Sequence, residues 1–217
     1  MCYTLNNLSS DFGGIYLGKD VKVIGQKFYK NLLYFAIGNP DNILIQSSRK
    51  AYRDMCRTLR LNGDSLLDVR SNVDNYLYKQ VNELLDTPEL TQENFNVWHK
   101  KVCLNIIGFY NDKYPNFSIG QAQKWLNMTL KYFYVSQIDE RVNCASSYFH
   151  VPLDNYVNEI LNNNKIKSFK GAWSKINDYD EYLMIQKGIR INIGNQSPID
   201  WEMEQWLSAA LEKKDNQ

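Results

Sequence analysis

The chain predicts an all-α fold of about eight or nine helices. Three observations carry that expectation. Apolar residues recur at spacings of three and four along most of the 217 residues. Capping residues and turn formers punctuate those runs. Only two short stretches, 42–46 and 189–193, read as extended.

The elements follow in order. Val21, Ile24, Phe28, Leu32 and Phe35 share one face of a first helix, which ends near Gly38-Asn39-Pro40. Leu66, Val69, Val73, Leu77, Val81 and Leu84 form the stripe of another, capped by Asp64-Ser65. Phe95, Trp98, Val102, Ile106 and Phe109 continue after an N-cap at Thr91, with Glu93 suited to the helix dipole. Ala122, Leu126, Leu130 and Phe133 give the next apolar stripe. The polar segment 136–149 lacks periodicity and reads as a loop. Tyr179, Tyr182, Leu183 and Gln186 suggest a short helix. Ser197-Pro198 is a cap followed by a proline at the first helical position. The C-terminal helix it opens is expected to bury Ile199, Met203, Leu207 and Ala210. No repeat, low-complexity linker or clean boundary divides the chain. One domain spanning 1–217 is expected, or two lobes flanking a cleft.

Composition bounds the function. The chain is 44% hydrophobic and 13% aromatic, enough for a sizeable core. Its net charge of +1 argues against a strongly basic nucleic-acid binder but leaves local patches open. Cys2, Cys56, Cys103 and Cys144 show no paired spacing, and His99 and His150 are the only histidines. A structural zinc site or a disulfide framework is therefore not expected. The start has no charged or apolar signal region, and no run approaches a membrane span. A soluble, reducing, cytoplasmic setting without metal or cofactor is the expectation.

The chemistry concentrates in residues 118–157. Gly120 stands at a turn that opens a helix carrying Lys124. Lys124, Asn127 and Lys131 lie three and four apart, away from Ala122, Leu126 and Leu130. Such a row is commonly a solvated polar face. His150-Val151-Pro152-Leu153-Asp154 forms a second turn into a helix. With Pro152 at the first helical position, Asp154 falls at the third, where a carboxylate accepts backbone N–H groups. A plain capping role is the alternative. If lysine and carboxylate converge, amine-nucleophile chemistry is available.

Arg49, Arg53, Arg57 and Arg60 step along one helix face. Phosphate tracking is one reading and ion pairing to Asp54, Asp64 or Asp68 the other. Trp125, beside Lys124, could wall a base pocket, as could Trp173, Trp201 and Trp206. Aromatic residues at helical spacing are otherwise core. His150 could contact substrate or be a hydrogen-bonded structural histidine.

The Ser118-Ile119-Gly120 turn, the Lys124 helix and Val151-Pro152-Leu153-Asp154 together resemble the helix-hairpin-helix DNA glycosylases. The archaeal 8-oxoguanine DNA glycosylase/AP lyase branch is the nearest resemblance. There the lysine is followed by a second lysine seven residues on, as Lys124 is by Lys131. The resemblance covers about 114–161, with hairpin and catalytic helix at about 114–135. Phe117-Ser118-Ile119-Gly120 departs from the family's Pro-Gly-x-Gly hairpin.

The resemblance implies a glycosylase-like bundle acting as a monomer on double-stranded DNA that contains a damaged base. A damaged purine, with 8-oxoguanine the candidate, would be excised through a lysine Schiff base. Lys124 and Asp154 would be catalytic. Gly120, Gln121, Arg49, Arg53, Arg57 and Lys131 would hold DNA phosphates. Trp125, His150 and Trp201 would form the base pocket. Two alternatives stand beside it. One is a non-catalytic nucleic-acid-binding protein on the same scaffold. The other is an all-α RNase or toxin-like protein, whose arginine–histidine spacing Arg141 and His150 meet poorly.

Overall fold

A computed structural model of the chain describes residues 25–59 and 67–215. Every regular element among them is helical. The α-helices are α1 (Gln26–Ala36), α2 (Ile43–Met55), α3 (Leu67–Leu85), α4 (Gln92–Tyr110), α5 (Ile119–Ser136), α6 (Arg141–Ala145), α7 (Asn155–Asn163), α8 (Tyr179–Ile193) and α9 (Pro198–Asp215). Short 3₁₀ turns link several of them, including Trp173–Lys175.

Helix α5 is the centre. Every residue from Ile119 to Leu130 is buried, although half of that stretch is polar or glycine. α2 packs along it, α4 and α8 flank it, and the Trp173–Lys175 turn crosses its start. A helix enclosed on all sides must satisfy its polar side chains internally. Asn127 therefore points into the core, and Lys124 is only 6% exposed, where the solvated-face alternative would place both in water.

The start of α5 is closed by a capping box. Ser118 Oγ accepts the Gln121 N–H at 3.0 Å and Gln121 Oε1 accepts the Ser118 N–H at 2.9 Å. The 173–176 strap is pinned over it. Gly120 N–H donates to the Ile176 carbonyl (2.8 Å) and Ser118 Oγ–H to the Ser174 carbonyl (2.7 Å). The strap lies so close that a Cβ on Gly120 would come 1.9 Å from the Trp173 carbonyl oxygen. The glycine serves backbone approach inside the protein.

The segment 149–154 runs extended between α5 and α8 with no strand beside it. Side chains replace the missing ladder. Gln186 accepts the Val151 N–H (3.0 Å) and donates to the Val151 carbonyl (2.8 Å). Gln123 does the same to Leu153, at 3.1 and 3.0 Å. Arg190 donates to the Ser147 and Phe149 carbonyls. Val151, Leu153 and Phe149 are meanwhile fully buried.

Several expected elements change. The stretches 42–46 and 189–193 are helical, the first at the junction of the 3₁₀ turn Pro40–Asn42 with α2 and the second inside α8. Their β-branched and aliphatic residues pack as helix stripes, which periodicity over five residues cannot distinguish from strand. The expected loop 136–149 contains α6 and a 3₁₀ turn at Ser146–Tyr148. The face expected to bury α1 is open, with Phe28, Leu32 and Phe35 exposed and Leu33 buried instead. Leu207 is also exposed. Val21, Ile24, Leu66, the Asp64-Ser65 cap and Arg60 lie outside the described residues. Cys144 is disulfide-bonded, while Cys56 and Cys103 are free. Scattered cysteines carry no spacing signature from which such a bond can be read. Among the described residues no helix is long and apolar enough to cross a membrane, and no group of metal-ligating side chains converges.

Replacing Gly120 with alanine forces a methyl against backbone that is hydrogen-bonded in place. The expected cost is about 3 kcal/mol, at the upper end of core overpacking. Urea unfolding measures it, and a variant as stable as the parent would disprove the close approach.

Candidate active site

Lys124 lies in the second turn of α5, and its Nζ is 2.7 Å from Asp154 Oδ2. Asp154 ends the extended segment and is the N-cap of α7. It does not occupy the third helical position, because Pro152 belongs to the extended run rather than to the helix. The two carboxylate oxygens have different tasks. Oδ1 accepts the Val157 N–H at 2.9 Å and Oδ2 accepts the lysine. One oxygen thus anchors the group to the helix start, and the other faces the amine.

Both residues line a cleft of about 620 Å³. A second ion pair stands about two helical turns further along α5. Lys131 Nζ contacts Glu202 Oε2 at 2.5 Å, and Glu202, from α9, is 3% exposed. Burial pushes the Glu202 carboxyl up, while Lys131 and, more weakly, Lys124 oppose the shift. The two pairs therefore share one field. Tyr132, also from α5, donates to Asp54 of α2 (2.6 Å), with Lys50 4.9 Å over its ring. Trp173, Tyr156 and Trp206 add aromatic surface, the last two with ring centroids 5.9 Å apart.

The structure brings together Lys124, Asp154, Lys131, Arg57, Trp173 and Trp206 from the residues the sequence singled out. It separates the others. Gly120 and Gln121 are buried, with their N–H groups given to Ile176 and Ser118, so neither offers an amide to a phosphate. Trp125 is fully buried; its indole N–H donates to the Ser48 carbonyl and hydroxyl. One residue along a helix rotates the side chain by about 100°, so a neighbour of Lys124 in sequence faces elsewhere. Trp201 is 8% exposed and does not line the cleft. Arg49 and Arg53 are exposed on α2, and Arg49 Nε is 3.4 Å from Asp74. Arg57 alone of the described stripe turns to the cleft, from the 3₁₀ turn Cys56–Thr58.

His150 belongs to the core. Its Nδ1 pairs with the Tyr182 hydroxyl and its Nε2 with Asn96, both at 2.9 Å. His99 pairs with Tyr179 and Asn127, both at 2.8 Å. Asn127 also donates to Tyr182 (2.9 Å), closing the network. Desolvation pushes His99 down to about 4. It depresses His150 as well, with His99 and Arg190 adding to the effect.

Among the cleft residues that sequence reasoning missed are Glu202, Tyr132, Asp54 and Tyr156. A signal existed for Glu202: it stands four residues before Trp206, hence on the same face of α9. Comparison of the chain with protein-family models, curated proteins and solved structures returned no match.

Two outcomes follow. Both histidines titrate below the unfolded value of about 6.5. The unfolded chain therefore binds more protons, so stability is complete above that pH and falls as pH drops toward 4. Asp74 and Glu202, whose carboxyls are pushed up, act in the opposite sense. The check is thus a comparison: His150→Asn should lose less stability than the parent between pH 7 and 5 in urea titrations. An identical pH slope would exclude the imidazole. Separately, Lys131→Met strands the Glu202 carboxylate and should cost about 3 kcal/mol, largely recovered in Lys131→Met/Glu202→Met. Full stability in the single variant would mean the pair does not form.

Proposed function

We propose that the chain is a DNA glycosylase/AP lyase that excises a damaged purine, 8-oxoguanine the candidate, through a lysine Schiff base. The observation that carries this is the Lys124 amine 2.7 Å from a carboxylate anchored at a helix start, both lining one cleft. The cleft volume, about 620 Å³, suits one extruded nucleotide. The resemblance to helix-hairpin-helix glycosylases supports the same reading, and with it a monomer acting on double-stranded DNA without metal or cofactor.

Asp154 orients the Lys124 amine. Once deprotonated, Nζ attacks C1′ of the sugar. The C1′–N bond breaks, and its electron pair leaves with the base, which takes up a proton. Asp154 offsets the positive charge that develops on the sugar. The ring oxygen then leaves C1′ and is protonated, giving the iminium. Loss of a C2′ proton breaks the C3′–O bond and nicks the strand. Water hydrolyses the imine and restores Lys124. Trp173, Tyr156 and Trp206 offer faces on which a base can stack. Arg57 offers a guanidinium to a backbone phosphate.

Borohydride trapping on duplexes containing 8-oxoguanine or an abasic site tests the proposal. The parent should form a covalent adduct and Lys124→Gln none. Asp154→Asn should slow trapping by about 10²-fold. An adduct of equal yield in Lys124→Gln would remove the nucleophile assignment. Salt-sensitive duplex binding without any adduct would leave a non-catalytic binder instead.

A further inference from the structure

Gln123 immediately precedes Lys124 and is fully buried. Its carboxamide makes four hydrogen bonds. Nε2 donates to the Gly120 carbonyl (2.9 Å) and the Leu153 carbonyl (3.0 Å). Oε1 accepts the Leu153 N–H (3.1 Å) and Asn127 Nδ2 (3.0 Å). Both donors of the side chain are used, and its oxygen accepts twice. Leu153 is the residue before Asp154. One side chain therefore holds both main-chain polar groups that lead into the carboxylate.

This clamp acts as a strand neighbour would, but it is carried by the turn of α5 that also carries the amine. Lys124 and the chain leading to Asp154 are thus referenced to the same piece of helix. We propose that Gln123 is a positioning residue that sets the separation of the Lys124 amine from the Asp154 carboxylate by fixing Leu153. Gln186 makes the equivalent clamp on Val151, at 3.0 and 2.8 Å, two residues further from the carboxylate. It imposes a similar demand on folding and a weaker one on Asp154.

The inference rests on the lysine-lyase reading, and the experiment separates the two. The full-length protein, Gln123→Glu and Gln186→Glu are compared in three measurements. These are single-turnover borohydride trapping on an abasic duplex, affinity for a duplex with a tetrahydrofuran abasic analogue, and urea unfolding. Each substitution keeps the acceptor and the volume and removes donors to main-chain carbonyls. Trapping should fall about tenfold or more in Gln123→Glu, as expected for a misplaced reacting group, with affinity unchanged. Gln186→Glu should lose comparable stability yet trap near the parental rate. Equal rate losses in the two variants, in step with stability, would overturn the proposal. Should Gln123→Glu not fold, Gln123→Met, of similar volume without polar atoms, takes its place. If the parent traps no DNA, the lyase reading fails on its own. Positioning is then read from methylation of Lys124 by formaldehyde and cyanoborohydride, quantified by mass spectrometry. Faster methylation in the Gln123 variant alone supports it, and equal rates overturn it.

Discussion

An extended segment buried without a partner strand must still satisfy its backbone polar groups. Residues 149–154 are such a segment, and the side chains that satisfy them organise this protein. Gln123 and Gln186 take both polar groups of Leu153 and Val151. Arg190 closes the upstream end on Phe149 and Ser147. The cost of an unpaired buried amide makes these contacts nearly obligatory. They fix α5, α8 and the segment in one register, and Asp154 emerges at its end as the cap of α7.

The central helix is polar for the same reason. Asn127 ties the glutamine clamp to the histidine–tyrosine network through Gln123, His99 and Tyr182. An apolar α5 could fill the same volume, but it could not hold a strand that lacks a ladder. The arrangement confines both imidazoles to the neutral state in which one nitrogen donates and the other accepts. Rigid support of this kind places a reacting group more closely than a loop can. Lys124 sits on the outer edge of that network, where the core gives way to the cleft.

The cleft keeps its charges in pairs. Lys124 with Asp154 and Lys131 with Glu202 alternate along it, each partner offsetting the desolvation of the other. Tyr132 and Asp54 continue the polar lining, while Trp173, Tyr156 and Trp206 supply apolar surface. Gly120 belongs to this geometry only indirectly: its missing Cβ lets the 173–176 strap cross α5 and deliver Trp173 to the cleft.

The sequence by itself determined the helical class and the cap at Thr91, and it singled out Lys124 and Asp154 as residues that could converge. Caps and stripes are local, set by spacings of three and four and by backbone donors within one turn. The short runs 42–46 and 189–193 defeated it because five residues, three of them apolar, suit a strand or a helix equally. Only the tertiary structure decided which aromatic and charged residues meet. Trp125 and His150 stand near the candidate residues in sequence, yet both are buried in the core, Trp125 against α2 and His150 among Tyr182 and Asn96. Glu202, Asp54 and Arg57 reach the cleft from distant parts of the chain. Local periodicity specifies the face on which a side chain stands, whereas the packing of α5 against α2, α8 and the 149–154 segment specifies what that face meets.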